Sequence, residues 1–222
     1  MKSRLTPMLI VLIYCLVLLP VLQTRAAADP VSEVDRWLEQ QIPRTGAPAA
    51  AAAVVDRDGL VYSRGFGQAD EDSLFYAASL SKSVTATAVL LLVQDGLVDL
   101  DAPVQEYIPT FTTADPGHAA TVTVRHLLNQ TSGLSDAGYT ASVDLSMASL
   151  EEMTADLASA RAFAPPGDSF AYFNGNYDVL GHLVEVVTGS TFEDFVQDQI
   201  FQPLVMASSS YTTLPETLKG YN

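Results

Sequence analysis

The sequence is poor in cysteine and in basic residues. Its 222 residues include one cysteine, and 11 lysines and arginines stand against 26 aspartates and glutamates, which gives a net charge of −15. Binding to phosphate requires a surface rich in lysine and arginine, so this charge argues against nucleic acid as a partner. It equally disfavours docking to anionic lipid headgroups. Hydrophobic residues make up 48% of the chain, which excludes a disordered protein and predicts a sizeable core.

The N-terminal segment has the residue order of a secretory signal peptide. Lys2 and Arg4 precede an uncharged stretch at residues 5–24, and three alanines at 26–28 provide the small residues of a cleavage site. An uncleaved anchor is the alternative, because about 20 apolar residues span a bilayer. Cleavage would leave residues 29–222 without any cysteine, and so without a disulfide or a thiol nucleophile. We therefore predict an exported protein, periplasmic or extracellular, whose membrane contact would come only from an uncleaved N-terminal segment.

The rest of the chain is mostly helical, with one early hairpin. Residues 31–42 have apolar side chains at helical spacing and end at Pro43. Two apolar runs at 49–55 and 60–66 are joined by a turn in which Gly59 provides a positive φ, which predicts a β-hairpin. Further helices are predicted at 79–94, 123–128, 150–160, 177–187 and 192–201. An isolated hairpin is only marginally stable, so it either packs wholly on helices or pairs with strands that would follow residue 222.

Ser79-Leu80-Ser81-Lys82 is the first candidate for catalytic chemistry. Positions three apart share one face of a helix, so the Ser79 hydroxyl and the Lys82 amine can meet. A serine hydroxyl is a poor nucleophile until a base takes its proton, and burial and the helix dipole both favour the neutral amine that can do so. The apolar stripe along this helix predicts that both side chains face inward. A solvated lysine at a helix start is the alternative, because this pattern is common by chance.

Tyr172-Phe173-Asn174 is the second candidate. It follows Pro165-Pro166-Gly167 and precedes a helix, which predicts a tight loop. A tyrosine hydroxyl beside a lysine ammonium gives up its proton more readily and can relay protons. Asn174 can donate to a substrate carbonyl and accept from Lys82. Taken alone, a tyrosine two residues before an asparagine is ordinary turn chemistry.

In their context these segments resemble the class C β-lactamase and penicillin-recognising serine hydrolase family. Residues 75–82 resemble the nucleophile segment of that family, residues 124–134 its Thr-Ser-Gly loop and residues 166–181 its Tyr-x-Asn segment. Later and intervening landmarks are similar at residues 96–104, 203–206 and 218–221. The resemblance implies an α+β fold of the serine β-lactamase and DD-peptidase type, in which an antiparallel sheet is flanked by helices and joined to a helical lobe.

The resemblance also implies a role for each candidate residue. Ser79 would be the acylated nucleophile, Lys82 its activating partner and Tyr172 the proton relay, while Asn174 would bind the substrate and orient both the substrate and Lys82. No metal or other cofactor is implied, and none of the three histidines has the spacing of a metal ligand.

Three departures from the family pattern stand out. A Lys-Thr-Gly or His-x-Gly strand, which would supply an oxyanion-hole N–H, does not occur in the sequence, and Val187-Thr188-Gly189 is predicted to cap a helix instead. Gln130 stands where relatives often have histidine, and Val205 where they often have glycine. The missing strand leads us to expect that the C-terminal strands of the fold are absent.

The leading interpretation is a serine hydrolase that acts through an acyl-enzyme on β-lactams, D-alanyl peptides, or small esters and amides. Residues 1–28 would be the signal peptide or anchor, and residues 29–222 the N-terminal portion of a β-lactamase-related hydrolase domain. A small-molecule or cell-wall peptide substrate would be the partner. The alternative is a non-catalytic truncated remnant or a cell-wall peptide-binding protein.

Overall fold

The computed structural model describes residues 30–136, 139 and 149–211. The predicted signal segment and the landmark at 218–221 lie outside these residues. The described residues divide into two compact units, one up to residue 75 and one from residue 76 onward. Within the described ranges, no helix combines the length and the apolar character that a membrane crossing requires.

The first unit contains one helix and the predicted hairpin. Helix α1 spans Pro30–Thr45, strand β1 Ala49–Asp56 and strand β2 Gly59–Gly67, and the two strands pair antiparallel. Gly59 has a φ of +127°, so its expected role in the turn is confirmed. The predicted end of the helix at Pro43 is wrong, because α1 continues to Thr45. A proline in the last turn removes only one hydrogen bond, which the helix tolerates near its end.

A charged network joins α1 to β2. Asp35 accepts hydrogen bonds from the Tyr62 hydroxyl, at 2.6 Å, and from the Arg64 guanidinium. Arg64 also donates to Glu39 at 2.6 Å. The hydrogen bonds from Tyr62 and Arg64 lower the pKa of Asp35, and partial burial together with Asp35 raises the pKa of Tyr62 to about 12. The ionised carboxylate therefore fixes the helix on the second strand of the hairpin.

The second unit is helical in the part that the structure describes. Its helices are α2 Ser81–Gln94, α3 Pro116–Ala119, α4 Val124–Leu128, α5 Leu150–Asp156, α6 Gly175–Thr188 and α7 Phe192–Val196. Shorter turns are the 3₁₀ turns Ala78–Leu80, Val104–Glu106 and Leu157–Ser159 and the π-helical turn Gln197–Phe201. Helix α6 is central, since α2, α4, α5 and α7 all pack against it. Its buried side chains include Val179, Leu180, Leu183 and Val184. This core fixes the ends of α2 and α6 at which the candidate residues lie.

Gly189 ends α6 in the left-handed conformation, with a φ of 71°. The expectation that Val187-Thr188-Gly189 caps a helix is thus confirmed, and this segment does not form the missing strand. The helix begins at Gly175, two residues before the predicted start, so Asn174 is its N-cap residue. The Tyr-x-Asn segment therefore leads directly into the central helix.

Val205 adopts a backbone conformation that suits glycine. Its φ is +58° and its side chain is 85% exposed, so a β-branched residue is strained there with little packing in return. We expect Val205→Gly to raise the free energy of unfolding by about 0.5–1 kcal/mol, measured by chemical denaturation. Val186→Gly is the matched control, because Val186 is exposed within α6, where glycine weakens a helix. A loss of stability in both variants would show that Val205 is not strained.

Candidate active site

All four predicted site residues meet in the second unit. The Ser79 hydroxyl and the Tyr172 hydroxyl form a hydrogen bond of 2.6 Å. Close by, the Lys82 Nζ donates to Asn174 Oδ1 at 2.7 Å. Ser79 lies in the 3₁₀ turn before α2, and Lys82 lies in the first turn of that helix. Segments about 90 residues apart are thus joined by two direct side-chain contacts.

The environment of Ser79 differs from the prediction. Ser79 is exposed and Lys82 is half-buried, so the expectation that both side chains face inward is wrong for the serine. The hydroxyl of Ser79 meets Tyr172 rather than the Lys82 amine. The physical reason is local: Ser79 lies in a 3₁₀ turn before the α-helix and directly follows Ala78, whose φ is +46°, so the regular helix that the prediction assumed does not extend to the serine.

The residue before Ser79 has a strained backbone. Ala78 has a φ of +46°, a left-handed value that costs an L-residue roughly 1–2 kcal/mol. The turn is closed by the Leu80 N–H, which donates to the Ala77 carbonyl at 3.0 Å. Strained backbone of this kind is concentrated at functional sites, where the surrounding structure holds it in place. Ala78 thereby sets the position of the serine that follows it.

The Lys82 amine lies against two aromatic rings. Its Nζ is 4.8 Å from the centre of the Tyr172 ring and 5.6 Å from that of Tyr177. The Lys82 amine is the main cause of a lowered pKa of Tyr172, the hydrogen bond with Ser79 adds to the effect, and burial opposes it. A phenol that ionises more readily is more often present as a phenolate, which can take the proton of the serine hydroxyl.

A cavity of about 340 Å³ opens beside Lys82 and Asn174. Its lining includes Tyr177 and Asp178, both of which the sequence reasoning missed. Asp178 accepts a hydrogen bond of 2.6 Å from Tyr139, and burial raises the pKa of its carboxyl. Both residues follow Asn174 by about one helical turn, so their place in α6 was the signal that could have identified them.

Comparison with known proteins links this arrangement to one family. The Beta-lactamase family model matches residues 34–221. Penicillin-binding protein 4 of Amycolatopsis lactamdurans is 37% identical over 176 residues, 76% of this chain and 45% of that protein. A solved beta-lactamase/D-alanine carboxypeptidase from Yersinia pestis is 26% identical with a TM-score of 0.71, over 84% of this chain and 56% of that one.

A third similar protein is D-amino acid amidase from Ochrobactrum anthropi SV3, solved in complex with L-phenylalanine amide. It is 25% identical with a TM-score of 0.71, over 86% of this chain and 57% of that one. The chain therefore spans about half the length of these relatives, with shares of 45%, 56% and 57%.

Proposed function

Since the chain belongs to the Beta-lactamase family and has the α+β fold that the sequence predicted, we propose that it is a serine hydrolase acting through an acyl-enzyme on Ser79. One observation carries this proposal above the others. The Ser79 hydroxyl is hydrogen-bonded at 2.6 Å to the hydroxyl of Tyr172, a phenol whose pKa the Lys82 amine lowers. A serine is activated when its hydroxyl contacts a base and a third group holds that base in place. Here Tyr172 would be the base and Lys82 the third group.

The proposed first step transfers one proton and forms one bond. Tyr172, as the phenolate, takes the proton from Ser79, and the serine oxygen attacks the substrate carbonyl carbon. The bond to the leaving group then breaks, and the leaving group receives the proton back from the Tyr172 hydroxyl. The acyl group is now an ester of Ser79, and water attacks it by the same steps in reverse order. Tyr172 therefore ends each cycle as the phenolate, the form in which it began.

Lys82 and Asn174 serve this chemistry without bonding to the acyl group. The Lys82 ammonium stabilises the phenolate by charge, at a distance of 4.8 Å from the ring centre. Asn174 Oδ1 accepts from that ammonium at 2.7 Å and so fixes its place beside the ring. The Asn174 side-chain N–H₂ group can still donate to a substrate carbonyl.

The proposed substrates are β-lactams, D-alanyl peptides, and small esters and amides. The names of the relatives support these classes, because they include a penicillin-binding protein, a D-alanine carboxypeptidase and a D-amino acid amidase. All four classes have a carbonyl carbon that a serine oxygen can attack. They differ in the leaving group, which is an amine, an alcohol, or the ring nitrogen of the lactam.

Covalent labelling tests the proposal. We expect the folded protein to react with a fluorophosphonate and with a fluorescent penicillin, and peptide mapping by mass spectrometry to place the adduct on Ser79. Competition with a D-alanyl-D-alanine peptide or an ester would rank the substrate classes. Thermally unfolded protein is the control, because it retains the serines and loses the contact with Tyr172. An adduct on a different serine, or equal labelling of the unfolded chain, would refute the assignment. Binding of the peptide without any adduct would instead identify a binding protein.

A further inference from the structure

Gln130 contacts the backbone on both sides of Tyr172. Its main-chain carbonyl accepts from the Ala171 N–H at 2.9 Å. Its side-chain Oε1 accepts from the Phe173 N–H at 3.0 Å. The same Oε1 accepts from the Asn176 side chain at 2.7 Å, within the first turn of α6. A single residue thus fixes the two neighbours of Tyr172 and the start of the central helix.

Gln130 has two features that lower the stability of the folded state. Its φ is +63°, in the region that favours glycine, and the residue is 6% exposed. Its Nε2 has no hydrogen-bond partner in the part of the chain that the structure describes. A left-handed backbone and a buried amide N–H₂ without a partner both destabilise a fold. A hydrophobic side chain would not bury an N–H₂ group without a partner. We therefore attribute the presence of a glutamine to the hydrogen bonds that its side-chain oxygen accepts.

Gln130 is itself firmly held. Its N–H donates to the Leu127 carbonyl at 3.2 Å, at the end of α4, where Leu127 is buried. The next residue, Thr131, donates from its N–H to the His126 carbonyl at 2.9 Å. The two carbonyl groups of Gln130 therefore project from a fixed helix end. Their hydrogen bonds to the N–H groups of Ala171 and Phe173 fix the loop that carries Tyr172 relative to α4.

Tyr172 depends on its backbone for its position because its side chain is half exposed to solvent. The phenol is 49% exposed, whereas the adjacent Phe173 is fully buried and packs edge-on against Tyr139 at 5.1 Å. A hydrogen bond of 2.6 Å to Ser79 leaves little room for the loop to shift. A small displacement of the backbone would separate the phenol from both Ser79 and Lys82.

We propose that Gln130 is a positioning residue for the Ser79 reaction, acting through its two carbonyl groups on the backbone at Tyr172. The catalytic part of this inference rests on the proposed function. The geometric part does not, because the place of the phenol beside Lys82 can be measured without any substrate.

The test compares two replacements of Gln130. Gln130→Met keeps the length of the side chain and removes the acceptor, whereas Gln130→Glu keeps an acceptor oxygen. We expect Gln130→Met to slow the labelling of Ser79 by about 10–100-fold, since small misplacements of reacting groups have effects of that size. We expect Gln130→Glu to remain within about threefold of the parent. Gln105→Met is the matched control, because Gln105 is a half-buried glutamine whose Nε2 donates to the Phe111 carbonyl away from this site.

A second readout separates positioning from general loss of structure. The ionisation of Tyr172 is followed by the ultraviolet absorbance of tyrosinate, with Tyr172→Phe subtracted. In Gln130→Met the phenol moves away from Lys82, so its titration and the rise of the labelling rate with pH both shift to higher pH. Gln105→Met should leave both unchanged. If Gln130→Met does not fold, Gln130→Asn replaces it, because asparagine tolerates a positive φ and is too short to reach the Phe173 N–H.

The outcomes are distinguishable. Unchanged labelling and an unchanged Tyr172 titration in folded Gln130→Met would overturn the inference. Absence of an adduct in the parent protein would refute the proposed function instead, and the Tyr172 titration alone would then decide the role of Gln130.

Discussion

Ser79→Ala should eliminate the covalent adduct and lower any hydrolysis by up to about 10⁶-fold, the size of the loss in kcat when the nucleophile of a serine protease is removed. The reason is that no acyl-enzyme can form without the Ser79 oxygen, whatever the state of Tyr172 and Lys82. Binding of substrate should persist, because the Lys82 and Asn174 contact of 2.7 Å does not involve the serine. The measurement is the rate of labelling by the fluorophosphonate, together with initial rates on a chromogenic β-lactam and an ester.

Ser83→Ala is the matched control for this variant. Ser83 is an exposed serine in the first turn of α2, four residues after Ser79, and its hydroxyl donates to the Leu80 carbonyl at 2.7 Å. Both serines are exposed, so both variants should stay within about 0.5 kcal/mol of the parent in the free energy of unfolding. Full labelling of Ser79→Ala, or equal loss in Ser83→Ala, would place the nucleophile elsewhere.

Much of the site follows from residues near one another in sequence. The Ser79-x-x-Lys82 and Tyr172-x-Asn174 patterns contain the four side chains that meet, and it was the resemblance of the surrounding segments to one family, rather than either pattern alone, that singled them out. The hairpin could also be predicted from the sequence, since a glycine at the turn between two apolar runs is a strong local signal.

The hydrogen-bond partner of the Ser79 hydroxyl could not be predicted from the sequence. It depends on the 3₁₀ turn that begins at Ala78, and alanine gives no sign that its φ will be positive. Glycine at such a position would have been a clear marker, as it was at Gly59. The sequence therefore predicted a helix face where the structure has a turn, and paired the serine with Lys82 instead of Tyr172.

The backbone conformations of Gln130 and Val205 could not be predicted from the sequence either. Both have a positive φ without being glycine, so their strain is visible only in the structure. At Val205 the strain agrees with the glycine that the family pattern led us to expect there. At Gln130 it accompanies contacts to residues more than 40 positions away, which no local pattern encodes.

Lys82→Met should slow acylation at neutral pH by roughly 100-fold or more and shift the rise of the rate to higher pH. The sign follows from the lowered pKa of Tyr172, whose main cause is the Lys82 amine. Only the phenolate accepts the proton of Ser79, so the rate increases as pH rises through the pKa of Tyr172. Without the ammonium this pKa returns toward its ordinary value near 10, as the phenolate loses its neighbouring charge. The rates of parent and variant should therefore converge at high pH, which a pH profile of the labelling rate would show.

Lys82→Arg separates the two roles that a lysine can have here. Arginine stays protonated and cannot act as a base, but it keeps the positive charge. If Lys82 acts as a cation beside the phenolate, Lys82→Arg should retain at least about a tenth of the parent rate and most of its low-pH activity. Arg125→Met controls for the change in net charge, because Arg125 pairs with Asp101 in an exposed salt bridge away from Ser79. A Lys82→Arg variant as slow as Lys82→Met, with both profiles unshifted, would make Lys82 itself the base and Tyr172 a bystander to the proton transfer.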